Sequence, residues 1–215
     1  MSFLNQLKTQ AKALQTQRTE QDSVFEERAS ATEKATRFML PYLQDLARQL
    51  NVLEPATPPF TLDGKTPWPA MKFVDFRVDA RRKLHRDQEV IDYIGMGWRV
   101  VPQVGSPVGG VVSVNFPPDQ QRVVSRLNMG PVKHERKEVR HPEKNVLQAM
   151  RYEYMTETRG SVMATADHEN AQIEFRLMNT AGFEIVKIKW PAARIGHESM
   201  DELAKRIVGQ PNRFV

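Results

Sequence analysis

The sequence predicts an α+β protein with an N-terminal helical arm, an antiparallel β-sheet or meander of about six or seven strands, and a C-terminal helix covering the sheet. Three observations support this fold class. Residues 2–53 contain no glycine and place apolar side chains at helical spacing. From residue 71 onward, apolar and polar residues alternate in short segments typical of strands. Near the C-terminus helical spacing returns. We therefore divide the chain into a helical arm (1–54), a proline-rich linker or wrapping segment (55–70) and an α+β body (71–215).

The arm is predicted to be one long helix or a helical hairpin. Its first apolar stripe has a 3-4 spacing and needs a partner, and it consists of Leu4, Leu7, Ala11 and Leu14. Residues 15–22 are then polar throughout, and residues 23–26 (Ser-Val-Phe-Glu) have the pattern of a capping box. The capping box favours a hairpin, whereas the absence of glycine and proline near the break favours one helix.

A second apolar face follows in the arm, formed by Phe25, Ala35, Phe38, Tyr42, Leu46, Leu50 and Leu53. Pro41 lies within this face, where proline either kinks a helix or occupies its first turn. The linker or wrapping segment comes next, and Phe60 and Trp68 are expected to hold it against the body because they are large and apolar.

Period-two alternation predicts seven strands in the body, over residues 71–80, 90–100, 108–116, 150–157, 161–166, 173–178 and 183–190. Residues 81–87 are predicted to connect the first two strands. A short helix is expected over 117–127, with Pro117 in its first turn. The terminal helix is predicted to begin at a capping box opened by Ser199 and to end at Gly209 as its C′ residue.

The net charge of +5 is concentrated in the middle of the chain. Residues 56–145 hold 15 Lys/Arg and 10 Asp/Glu, whereas the segments on either side are neutral. Two basic clusters in this region are candidates for binding an anionic partner: Arg77, Arg81, Arg82, Lys83 and Arg86, and Lys133, Arg136, Lys137, Arg140 and Lys144. Aromatic side chains near these clusters could stack on bases, namely Tyr93, Trp98, Tyr152 and Tyr154.

The segment HERKEVRH, residues 134–141, contains a weak candidate for metal binding. On a helix, His134, Glu138 and His141 share one face, whereas on a strand His141 points away from the other two. Proximity of Arg136, Lys137 and Arg140 also disfavours a bound cation. Both secondary structures remain open for residues 131–142, and no metal site is predicted.

Catalytic signatures are weak throughout the chain. Without cysteine there is no thiolate chemistry, and the sequence fits a reducing compartment. Neither Ser161 nor Ser199 lies in a Gly-x-Ser-x-Gly elbow, and the glycine-rich segment 104–110 lacks a P-loop lysine. Residues 1–17 have too thin a cationic face to favour a membrane surface, and no apolar run predicts a transmembrane segment.

We interpret the chain as a non-enzymatic cytoplasmic binding or assembly protein. Its arm is expected to mediate self-association, as a homo-oligomer, or docking to a protein partner, and no cofactor is predicted. Nucleic-acid binding through clusters 77–86 and 133–144, most plausibly to RNA or a single strand, is the first alternative. A metal-dependent hydrolase using HERKEVRH is the second.

Overall fold

The computed structural model describes residues 3–86 and 88–214, and its α+β architecture agrees with the fold class predicted from the sequence. Within these residues the helices are α1 (Phe3–Leu53), α2 (Pro117–Met129) and α3 (His197–Ile207). The strands in the same ranges are β1 (Met71–His85), β2 (Gln88–Pro102), β3 (Gly109–Val114), β4 (His134–Arg140), β5 (Leu147–Met155), β6 (Thr158–Asp167), β7 (Gln172–Met178) and β8 (Ile185–Pro191).

The described N-terminal residues form one long helix and no hairpin. α1 runs without interruption through the polar segment 15–22 and through Ser23, because neither glycine nor proline breaks it there. Pro41 lies inside α1 with its ring at the exposed side, so it does not begin a helix.

The buried face of α1 differs from the predicted one by a small rotation. It consists of Thr32, Ala35, Thr36, Met39, Leu43, Ala47 and Leu50. Phe38, Tyr42 and Leu46 are only half-buried, and Leu53 is exposed. Two threonines occupy positions on the buried face where bulky apolar residues were expected. A threonine can be buried there because its hydroxyl donates to a backbone carbonyl of the same helix, as Thr32 Oγ1 does to Arg28 O. The prediction counted only apolar residues and therefore placed the buried face of α1 incorrectly.

Five strands form the main antiparallel sheet in the order β1-β2-β6-β7-β8. β1 and β2 extend further than predicted, with pairing that continues to His85 opposite Gln88. Most of the predicted connection 81–87 is therefore strand, and Asp87 lies outside the described residues. Cross-strand partners and a half-buried Lys83 allow the charged segment to remain extended.

A second sheet of three strands has the order β3-β5-β4. A single meander of six or seven strands was expected, but the described residues contain eight strands in two sheets. The chain leaves the second sheet at Met155 and enters the main sheet at Thr158, so β5 and β6 are consecutive without pairing. HERKEVRH supplies β4, whose residues are exposed on both sides, and the helical alternative is wrong.

The core lies between the helices and one face of the main sheet and continues to the inner side of the second sheet. α1 packs across β1, β2 and β6, and α3 lies beside it, with Tyr42 Oη donating to Asp201 at 2.6 Å. α3 begins at Gly196 as N-cap, so Ser199 occupies the third helical position and accepts the Gly196 N–H, which corrects the predicted cap. Gly209 has φ +72° after the last turn, as predicted for C′.

Phe60 and Trp68 are buried, as expected, and they hold the segment 55–70 against the body. Trp68 stacks on Tyr154 of the second sheet, with ring centroids 5.6 Å apart. In the described part of the chain, no helix combines the length and the apolarity needed to cross a membrane.

Candidate functional site

The N-terminal part of α1 extends past the body of the protein. All residues from Phe3 to Val24 are exposed, whereas burial begins in the turns that follow. At 1.5 Å per residue this exposed part is about 33 Å long. Helices of this kind gain most of their stability from packing rather than from propensity, so an exposed arm of this length is a candidate surface for a partner.

The predicted stripe lies on this exposed part of α1. Leu4, Leu7 and Leu14 are 57%, 44% and 56% exposed, and Ala11 is exposed as well. Their 3-4 spacing continues, after a polar interval, into Phe25 and the buried residues of α1. The stripe is therefore an extension of the same helix face that packs on the sheet.

The β1–β2 hairpin supports α1 where the arm leaves the body. The ring centroids of Phe25 and His85 are 5.2 Å apart, and Cζ of the Arg86 guanidinium lies 3.7 Å from the centroid of the Phe25 ring. Arg86 also bonds Asp22 at 3.2 Å, and Arg28 donates to the Glu169 carbonyl. These contacts join residues that are far apart in sequence, so sequence reasoning missed them and assigned Arg86 to an anion-binding cluster.

The first basic cluster lies on β1, an edge strand of the main sheet. Arg82 pairs with Glu89 at 3.1 Å and Lys83 with Asp92 at 2.8 Å, in addition to Arg86 with Asp22. For Arg77 and Arg81, the described residues contain no ion pair. Only part of this cluster is therefore available to an external anion.

The second basic cluster lies on and around β4, an edge strand of the second sheet. Lys137 donates to Glu153 at 2.6 Å, which raises the pKa of Lys137, and Arg140 pairs with Glu138 at 2.7 Å. No ion pair to the other three predicted cations, Lys133, Arg136 and Lys144, is present in residues 3–86 and 88–214. The two clusters belong to different sheets, so they do not form a continuous strip along one edge.

Most of the aromatic residues proposed for base stacking belong to the core. Trp98 is 3% exposed and Tyr152 1% exposed, and Tyr154 is covered by Trp68. Tyr93 is the exception, because it lies half-buried on the outer face of β2. These positions were indistinguishable in the sequence, since strand alternation does not tell which of two faces is buried.

The weak metal candidates are not gathered into a site. Because β4 is a strand, His134 and Glu138 lie on one side of it, and His141 follows the strand. His134 Nδ1 lies 2.8 Å from Val132 O, while Glu138 pairs with Arg140. His141 Nδ1 accepts the Glu143 and Lys144 amides. Among the described residues, no group of three or more His, Cys, Asp or Glu side chains is arranged to hold a metal ion.

Comparisons of the chain with protein-family models, curated proteins and solved structures found no match. Function is therefore inferred from the exposed surfaces of the molecule.

Proposed function

We propose that the protein is a non-enzymatic cytoplasmic assembly protein that associates with a second copy of itself through its helical arm. The observation that carries this proposal is the exposed stripe of Leu4, Leu7, Ala11 and Leu14 on the packing face of α1, beyond its last contact with the body. A cytoplasmic location is compatible with the cysteine-free sequence.

Antiparallel pairing of two arms matches the stripe best. Its spacing of three, four and three residues is the same in both directions along the helix. Leu4 therefore meets Leu14 of the second copy, and Leu7 meets Ala11, in four consecutive apolar layers. Side chains spaced in this way interdigitate as in a coiled coil.

Arg18 disfavours the parallel arrangement. It lies one heptad after Ala11 on the same helix face, so a parallel dimer would place two Arg18 guanidinium groups against each other. In the antiparallel dimer, the two Arg18 residues lie at opposite ends of the paired stripes. The two bodies then lie at opposite ends of the paired helices and do not compete for space.

The charge of the arm predicts how this association responds to salt. Residues 3–17 contain Lys8 and Lys12 and no acidic residue, so two arms carry charge of the same sign. Salt screens this repulsion, and self-association is expected to strengthen as the salt concentration rises. Docking of the arm to an acidic protein surface would weaken instead, which distinguishes the two kinds of partner.

The proposal is tested by replacing two stripe residues, as Leu7→Glu with Leu14→Glu. Sedimentation over a wide range of concentration is expected to show a monomer–dimer equilibrium for the natural chain and only monomer for this variant. Buried glutamates without partners cost several kcal/mol, which is enough to abolish a four-layer contact.

Thr9→Glu with Thr16→Glu is the matched control, because Thr9 and Thr16 lie on the opposite side of α1, where their hydroxyls donate to Asn5 O and Lys12 O. This control adds the same charge and is expected to keep the dimer. A natural chain that stays monomeric at all concentrations, or an equal loss of dimer in both variants, would contradict the proposal.

A further inference from the structure

The outer face of the five-stranded sheet is exposed along all five strands. In β6, for example, Thr158, Gly160 and Val162 are buried, whereas the alternating Arg159 and Met163 are exposed. The other four strands show a similar alternation of more and less buried positions over their central parts. The register carries one outward-facing row from edge to edge: Asp79, Gly95, Met163, Arg176 and Lys187.

Cations outnumber anions on this face. Arg99 is neutralised by Asp75 at 2.9 Å and Glu157 at 2.8 Å, and Lys189 by Glu174 at 3.1 Å. Five more cations have no ion pair within the described residues, and they are Arg77, Arg81, Arg159, Arg176 and Lys187. Asp79 on β1 and Asp167 at the end of β6 are acidic residues on the same face. The face therefore presents a positive surface to solvent.

Two cross-strand pairs on this face place like charges opposite each other. Arg99 is the direct partner of Arg159, and Arg176 is the direct partner of Lys187. Directly opposed like charges destabilise a sheet. Asp75 and Glu157 already neutralise Arg99, so the unrelieved repulsion lies between Arg176 and Lys187. Negative charge bound there would relieve it, which is consistent with an anionic ligand.

Gly95 and Gly97 leave a hollow in the same face. Neither has a positive φ, a Cβ on Gly95 would have no atom within 4 Å, and one on Gly97 would meet only Gly160 O at 3.9 Å. Backbone conformation and packing therefore do not require glycine here, although glycine within a strand costs about 0.5–1 kcal/mol relative to alanine. Glycines of this kind often mark the close approach of a ligand.

The hollow has a volume of about 690 Å³ and mixed walls. Tyr93, Met163 and Met178 supply aromatic and apolar surface, while Arg77 and Arg159 supply positive charge. Asp79 and the Asp75–Arg99 ion pair also line the hollow. A flat aromatic ring with a phosphate attached matches this combination, because the ring stacks on Tyr93 and apolar surface while the phosphate pairs with arginine.

We propose that the outer face of the five-stranded sheet binds single-stranded nucleic acid, with an unpaired base in the hollow of Gly95 and Gly97 and phosphates on the surrounding arginines. The cations extend from β1 to β8, about 19 Å across four strand spacings, which is more than one free nucleotide covers. A duplex is a poorer ligand, since both faces of its bases are already stacked. This inference does not depend on the arm.

The first experiment measures binding of a fluorescein-labelled, mixed-sequence 12-nucleotide single strand, as RNA and as DNA, by fluorescence anisotropy. Arg159→Glu with Arg176→Glu is expected to weaken binding at least tenfold. Loss of two phosphate contacts is also expected to make the slope of log affinity against log salt shallower by about 1.4. The same sequence as a duplex is expected to bind more weakly than the single strand.

Arg136→Glu with Lys144→Glu is the matched control, with the same charge change at two cations around β4 for which the described residues contain no ion pair. It is expected to retain the affinity of the natural chain. Equal weakening by this control would overturn the proposal, because binding would then depend on net charge or on the second basic cluster. Salt-independent or undetectable binding of both single strands would also overturn it.

The second experiment fills the hollow without changing any charge. Gly95→Val is expected to weaken single-strand binding at least tenfold while the melting temperature does not fall, because the added side chain meets open space and valine favours strands. Unchanged affinity in this variant would overturn the proposal. So would tighter binding of a poly-glutamate peptide than of either single strand, because an acidic protein segment would then be the better ligand.

Discussion

At the scale of single residues, two glycines on neighbouring strands have opposite roles. Gly160 on β6 lies directly opposite Trp98, and a Cβ added to it would overlap the Trp98 indole. Gly95 on β2 faces outward into open space. Gly95 lies within a predicted strand and Gly160 directly precedes one, so the sequence alone does not distinguish a packing requirement from a binding hollow.

The packing role predicts that Gly160→Ala destabilises the protein by about 1–3 kcal/mol, because Trp98 has to move within a close-packed core. Urea denaturation monitored by tryptophan fluorescence measures this difference. Gly95→Ala is the matched control and is expected to keep or slightly increase the free energy of unfolding. Equal effects of the two substitutions would contradict the assignment of the two faces.

At the scale of elements, the segment 55–70 wraps the body and carries its own polar anchor. Trp68 N–H donates to Phe60 O at 2.8 Å and closes a loop around Asp63. Burial acts to raise the pKa of Asp63, but hydrogen bonds from the Thr66 and Lys65 amides and from the Thr66 and Thr61 hydroxyls outweigh it and lower the pKa from 3.8 to about 2. The ionised carboxylate therefore stabilises the folded loop.

Because this folded-state pKa is lower than the value in an unfolded chain, the stabilisation is present above about pH 4 and is lost as the pH falls towards 2. Asp63→Asn is expected to lower the free energy of unfolding by about 1 kcal/mol at pH 7, after allowance for solvent screening. Urea titrations between pH 7 and pH 2.5 should show this difference shrinking at the acidic end. A difference that stays constant with pH would assign the effect to lost hydrogen-bond geometry instead.

At the scale of the whole molecule, the arm and the outer face of the main sheet are suited to different kinds of interaction. The arm presents apolar side chains for the proposed pairing with a like-charged copy, whereas the sheet face presents cations for the proposed anionic ligand. Salt is expected to strengthen the first interaction and to weaken the second. One protein preparation is therefore expected to show two opposite salt responses.

We expect the two surfaces to be energetically independent, since they lie on different elements and share no residue. Leu7→Glu with Leu14→Glu is expected to leave the affinity for a 12-nucleotide strand unchanged. Arg159→Glu with Arg176→Glu is expected to leave the sedimentation behaviour unchanged. Loss of nucleic-acid binding in the arm variant would show instead that the ligand needs two copies of the sheet.

Much of the fold could be predicted because local periodicity reflects it. Helical spacing without glycine predicted the arm, and period-two alternation predicted seven of the eight strands in the described chain. HERKEVRH remained ambiguous because it is exposed on both sides as β4, so no apolar pattern marks its secondary structure. The sequence did not reveal the extension of β1 to His85, because a run of charged residues is also typical of a loop between two strands.

The sequence by itself determined the α+β class, the apolar stripe of Leu4 to Leu14 and the positive middle part of the chain. Tertiary structure decided which charges share a surface. Arg77 belongs to the positive middle part, but Arg159, Arg176 and Lys187 come from a segment with no net charge. Strand register places them on one face with Gly95, because pairing between distant strands, and not distance along the chain, determines which side chains are neighbours.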